Sequence, residues 1–181
     1  MATVAVIVID GLGPLMRAGA ADDARELLDR FVDETDAIAR QRGLERIRLT
    51  GDAYFAACGT VRPHIDHAAR AVSFVLDVRE LIRDLGDEDE QISITAGIHS
   101  GAVTVALTGG SDLVYDAWGS TVQFAADLAR MDGSNTIFAT RTVQQQLSSS
   151  FLTEEIPDGN ATDTLEKACV LVNPQVNLFN T

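Results

Sequence analysis

Two aspartates occupy places where rigid backbone can hold a carboxylate still. Asp10 follows the apolar run Val4 to Ile9, VAVIVI, and Asp52 closes Thr50-Gly51-Asp52 between two strand-like runs. A carboxylate at a strand end or hairpin tip suits a metal ligand. Gly-Asp is also ordinary turn chemistry, so Asp52 alone carries little weight. Asp10 is followed by Gly11, Leu12, Gly13 and Pro14. The backbone N–H groups of such a loop can face phosphate, although a solvated strand end followed by a turn is the plain alternative.

Whether the two aspartates meet depends on the elements that carry them. The unbroken β-branched run before Asp10 is the pattern of a strand buried on both faces. Apolar residues at helical spacing, Leu27, Leu28, Phe31, Val32 and Ile38, predict a helix from about Ala20 to Arg42, closed by Gly43. Ile47 and Leu49, then Tyr54 to Cys58, flank Gly51-Asp52 as a hairpin. Pro63 opens a second helix to about Leu85. Gln91 to His99 and Ala102 to Leu107 are expected to pair around Ser100-Gly101. A third helix runs from about Thr121 to Met131 behind Ser120, a short strand covers Ile137 to Ala139, and a short helix Thr140 to Leu147. The tail holds strand-like runs at Ala168 to Val172 and Gln175 to Phe179.

Strand, helix, hairpin, helix, strand is the βαββαβ order of a ferredoxin-like sheet, an α+β fold with helices on the sheet and a C-terminal αβ extension. In that arrangement the first strand and the hairpin are neighbours, and Asp10 and Asp52 share one end. Two converging carboxylates in oxygen-only surroundings suit Mg²⁺ or Mn²⁺. A two-metal site serves in-line displacement at phosphorus.

The 181 residues are expected to form one domain. A net charge of −13 argues against nucleic acid or an anionic membrane as partner. It leaves room for a small anionic ligand neutralised by metal. Cys58 and Cys169 fit no ligand spacing, so a reducing, cytoplasmic setting is expected. No apolar run reaches membrane-spanning length, and the N-terminus lacks a signal-peptide pattern. His64 and His67 lie one helical turn apart, too few for a zinc site, and His99 reads as a structural polar residue at a sheet end.

Four segments together carry a specific resemblance: VIVIDGLG (Val6 to Gly13), RLTGDAYFAACG (Arg48 to Gly59), ITAGIHSGAV (Ile94 to Val103) and YDAWGSTVQFAADL (Tyr115 to Leu128). In order and spacing, from Val4 to Leu147, the chain resembles the class III nucleotidyl cyclases, the adenylate and guanylate cyclase catalytic domain. The resemblance implies head-to-tail dimers, homo- or heterodimeric, with nucleoside triphosphate (ATP or GTP) bound between partners. It implies two metal ions on Asp10 and Asp52, and base-reading residues at Arg48 and Asp116. It places Gln123 where the family has a ribose-orienting Asn, and Asp127 where it has a phosphate-stabilising Arg.

At several of these positions the chain departs from the family. Arg48 replaces a lysine, keeping charge but not shape. Gln123 adds one methylene to the family's amide, and placement errors of about 1 Å can cost about 100-fold in rate. Asp127 puts a carboxylate where a guanidinium should meet the triphosphate; Arg130, one helical turn on, is a candidate replacement or a plain surface residue. Pro14-Leu15 stands where the family has Phe-Thr, and Lys167, the only lysine, has no secure counterpart. The expected activity is conversion of a nucleoside triphosphate, ATP before GTP, to a 3′,5′-cyclic nucleotide and pyrophosphate, weak or absent in a homodimer. Two alternatives stay open: an inactive regulatory or dimerisation module, and the metal-donating half of a heterodimer. A diguanylate cyclase lacks support, because its Gly-Gly-Asp/Glu-Glu-Phe turn is absent.

Overall fold

β-Branched residues on successive positions favour extended backbone, and in Ala2–Asp10 (β1) both sets of side chains are covered. Ala5, Ile7 and Ile9 face one core; Val4, Val6 and the partly buried Val8 face another. β1 is therefore the centre of a sandwich of layers. The structure, a computed structural model, describes residues 1–11, 21–85, 92–108, 114–149, 151–156 and 168–172.

The helix Ala21–Arg42 (α1) ends at Gly43, whose φ of 78° stops the helical path and turns the chain into Leu44–Thr50 (β2). A two-residue turn leads to Ala53–Cys58 (β3), and His67–Leu85 (α2) follows. The expected start of α2 at Pro63 is four residues early. The first helical hydrogen bond runs from the Arg70 N–H to the Asp66 carbonyl, 3.0 Å, so Pro63 to Asp66 is approach rather than helix.

Ser93–Gly101 (β4) pairs with β1 along its whole length, from Ala2 opposite Gly101 to Asp10 opposite Ser93. The expected turn at Ser100-Gly101 is thus a continuing strand. Thr104–Thr108 (β5) pairs instead with Val114–Trp118 (β6) in a separate two-stranded sheet. Ser120–Leu128 (α3), Ile137–Thr140 (β7), Arg141–Gln146 (α4), Leu152–Glu155 (β8) and Ala168–Val172 (β9) complete the described elements. The expected strand at Gln175 to Phe179 lies outside the described residues.

Among the described residues the main sheet has the order β2-β3-β1-β4-β7-β9-β8. Its first four strands are antiparallel neighbours. That is the expected ferredoxin-like core, extended by a C-terminal αβ unit. α1 and α2 cover one face through Phe31, Phe74, Val75 and Ile82. α3 covers the other through Val122, Ala125, Ala126 and Ala129. It lies so close that a Cβ on Gly97 would stand 2.1 Å from the Ala125 carbonyl oxygen. Only glycine fits there.

Candidate active site

Asp10 is the last residue of β1, and Asp52 lies in the turn between β2 and β3. Gly51 takes φ 61° in that turn, a conformation glycine adopts freely. The Ile9 N–H donates to the Asp52 carbonyl at 3.0 Å, which ties the turn to the end of β1. The two aspartates therefore stand side by side at one end of the sheet, as the topology predicts. Asp10 is half-buried and Asp52 exposed. Asp10 continues the even-numbered positions of β1, the set that faces α3. Its Oδ2 lies 2.7 Å from the hydroxyl of Thr95, a buried residue of β4.

Two carboxylates, one at the end of β1 and one in the adjoining turn, are of the kind that suits Mg²⁺ or Mn²⁺, which bind through one or two carboxylates plus substrate phosphates. Among the described residues, no three His, Cys, Asp or Glu side chains gather into a ligand cluster. Gly11 follows Asp10 with φ 95°. Leu12, Gly13, Pro14, Leu15 and Lys167 lie outside the described residues.

The remaining candidates meet on the α3 face. Arg48, Phe55, Gln123, Asp127 and Arg130 line an open groove of about 530 Å³. Arg48 comes from β2, with its guanidinium carbon 4.8 Å from the centre of the Phe55 ring. Its Nη1 donates to Asp116 across 3.2 and 3.4 Å. Asp116 is fixed in turn by the N–H of Ala117 at 2.8 Å. On α3, Gln123 Nε2 donates to Asp127 Oδ1 at 2.7 Å, the contact that i, i+4 spacing allows. Arg130 Nη1 reaches the Ala126 carbonyl at 3.3 Å, and its side chain stays exposed.

Other chemistry-bearing residues have structural partners. His99 Nδ1 lies 2.9 Å from Thr140 Oγ1, its ring edge-on to Phe124. His67 Nδ1 lies 2.6 Å from Thr3 Oγ1. Burial pushes the Cys58 thiol up to about 11, which makes it a poor nucleophile. Tyr54 donates to Asp36 at 2.6 Å, and burial followed by that carboxylate raises its pKa. Thr95 and Phe55 are the residues that sequence reasoning missed. Both sit inside strand runs whose pattern signals only burial.

The chain matches the family model described as the adenylate and guanylate cyclase catalytic domain over residues 2–161. An adenylate cyclase of Mycobacterium tuberculosis is 29% identical over 153 residues, 83% of this chain and 34% of that protein. A membrane guanylyl cyclase of Dictyostelium discoideum is 30% identical over 136 residues, 74% of this chain and 9% of that protein. The chain thus spans about a third of the mycobacterial relative and under a tenth of the other. Among solved structures, the guanylate cyclase domain of RhGC from Catenaria anguillulae in complex with GTP superposes with a TM-score of 0.85 at 25% identity. That match covers 94% of this chain and 95% of the other. The catalytic core of a rhodopsin-guanylyl cyclase with converted specificity, in complex with ATPαS, gives 0.85 at 26% identity, covering 96% and 95%. No helix among the described residues is long and apolar enough to cross a membrane. With the sheet order, the paired aspartates and these matches in hand, the chain belongs to the class III adenylate and guanylate cyclase catalytic domain family.

Proposed function

We propose that this domain cyclises a nucleoside triphosphate, ATP in preference to GTP, at a site shared by two domains packed head to tail, and that a homodimer does so slowly. The observation that carries this is the juxtaposition of Asp10 and Asp52, joined by the hydrogen bond from Ile9 to the Asp52 carbonyl. In the reaction the ribose 3′-oxygen bonds to the α-phosphorus, and the bond to the β-phosphate oxygen breaks. Pyrophosphate leaves, and the hydroxyl proton passes to solvent.

Asp10 and Asp52 would hold two Mg²⁺ or Mn²⁺ ions. Such ions, when bound, lower the pKa of the attacking hydroxyl and neutralise the triphosphate. The N–H groups of Gly11, Leu12 and Gly13 serve the phosphates. Arg48 and Asp116 read the base of the partner's substrate, offering one donor and one acceptor side by side. Asp116 favours adenine through its resemblance to the family's base-reading position. Gln123 stands for the ribose-orienting amide, with Asp127 bound to it. Arg130 is then the cation that the α3 side of the groove offers the phosphates. Val105, Leu107 and Trp118 on the β5–β6 hairpin are exposed apolar surface that a partner domain would cover. Two buried cysteines outside any disulfide and a nucleotide substrate fit a cytoplasmic setting.

A specific observation favours a second reading, a heterodimer in which this chain donates the metal carboxylates. On the exposed face of α3 the Gln123 amide donates to Asp127 at 2.7 Å, so a carboxylate engages the amide at the ribose-orienting position. Losing one transition-state donor costs on the order of 2.7–4 kcal/mol, and a carboxylate adds repulsion. The test is cyclic nucleotide formation by the purified domain with ATP or GTP and Mn²⁺, beside Asp52→Ala. Slow turnover that disappears in Asp52→Ala supports the enzyme. Turnover unchanged by Asp52→Ala overturns the metal assignment. No turnover in either leaves the heterodimer and the inactive module, which differ in whether activity appears on mixing with another cyclase domain.

A further inference from the structure

Thr95 occupies β4 opposite Val8, on the face covered by α3, and is only 4% exposed. A valine would fill that volume at no polar cost, since a buried hydroxyl is favourable only when hydrogen-bonded. The Thr95 hydroxyl has two partners: Asp10 Oδ2 at 2.7 Å and the Gly133 carbonyl oxygen at 2.7 Å. A hydroxyl carries one hydrogen, and an ionised carboxylate and a carbonyl both only accept. Thr95 therefore shares one hydrogen between the end of β1 and the turn that follows α3.

Asp10 needs such a hold. It is the last residue of β1, opposite Ser93, and strand pairing fixes its backbone but not its carboxylate. Resting on the proposal that Asp10 is a metal ligand, we infer that Thr95 is its positioning residue. Thr95 pins Oδ2 and leaves Oδ1 with all its acceptor capacity for a cation. Thr95 also joins the metal end of the sheet to the α3 layer, where Gln123 and Asp127 stand.

Outer-shell partners of ligating carboxylates are worth about 10- to 100-fold in metal affinity. The experiment is a Mn²⁺ titration of the domain with 3′-deoxy-ATP, which cannot cyclise, with free Mn²⁺ read by electron paramagnetic resonance. Thr95→Val should weaken Mn²⁺ binding about 10- to 100-fold, and Thr95→Ser should bind like the parent. Thermal unfolding without metal is recorded for each variant. A lower Tm for Thr95→Val with unchanged Mn²⁺ affinity would mark Thr95 as structural and overturn the inference. If Thr95→Val does not fold, Thr95→Cys, a weaker donor of similar size, carries the same test, and parental Mn²⁺ affinity in it is the overturning result. Asp10→Ala separates the two levels. If it loses Mn²⁺ while Thr95→Val keeps it, only the positioning role fails; if it keeps Mn²⁺, the ligand assignment fails and the inference with it.

Discussion

The two ends of the candidate site use their polar groups differently. At the β1–β3 end, groups other than the two aspartates do the holding: one N–H from Ile9 fixes the Asp52 turn, and one hydroxyl from Thr95 touches Asp10. Both carboxylates keep acceptor capacity for something else. Along the α3 groove, candidate residues hold one another. Arg48 is bound to Asp116, and Gln123 to Asp127. A site for a charged ligand needs unsatisfied groups whose geometry is set by others. The first region has that organisation, whereas in the second Arg48 and Asp116 offset each other's charge and the Gln123 amide is engaged by Asp127. Composition alone hides the contrast, since both regions are rich in charge.

The largest expected effect sharpens the contrast by restoring the groove. Gln123→Asn with Asp127→Arg removes the internal hydrogen bond and supplies a guanidinium, and should raise cyclase turnover about 100-fold or more, the size of one transition-state donor. A steady-state rate with ATP and Mn²⁺ checks it, and an unchanged rate means the defect lies elsewhere. Next in size is Gly97→Ala, which drives a methyl into the α3 backbone. It should destabilise the domain by about 1–3 kcal/mol, as overpacked cores do, read as a lower denaturant midpoint. Arg130→Ala should lower the homodimer rate about 10-fold, a modest share of the loss seen when a transition-state donor is removed, while Arg130→Lys retains most of it. A rate unaffected by Arg130→Ala would return that residue to the surface.

The smallest effect lies far from both regions. Burial lowers the pKa of His67 below its usual 6.5. Folding therefore favours neutral His67. Its contribution is fully present above pH 6.5 and is lost as pH falls through the lower folded value. Tm should decline over that acidic range, and His67→Gln should flatten the decline. An identical slope in the variant would remove His67 as its cause.

Much of this was legible because it depends on period and order. VAVIVI reads as a strand covered on both faces, and β1 has a core on each side. The neighbourhood of Asp10 and Asp52 follows from the βαββαβ order alone, and β1 does pair with β3. What stayed hidden depends on contacts distant in sequence. Gly101 looks like a turn glycine, but β4 runs through it. The missing Cβ makes room for Thr121 Oγ1, 2.5 Å from where it would sit. Pro63 looks like a helix start, yet the hydrogen-bond ladder begins at Asp66. Arg48 and Asp116 lie 68 residues apart, and no local pattern reports that they are bound together. Thr95 is invisible for the same reason: threonine in a buried strand looks like any β-branched residue until its hydroxyl finds Asp10.

The contrast between the two ends is tested most directly by complementation. The domain is mixed with a second class III cyclase domain whose own two metal aspartates have been changed to alanine, pairing is checked by co-elution, and cyclic nucleotide is measured with Mn²⁺ and ATP. The intact carboxylate end predicts turnover in the mixture well above either domain alone, abolished by Asp52→Ala in this chain. Co-eluting domains that stay silent, or a mixture whose rate survives Asp52→Ala, would contradict it.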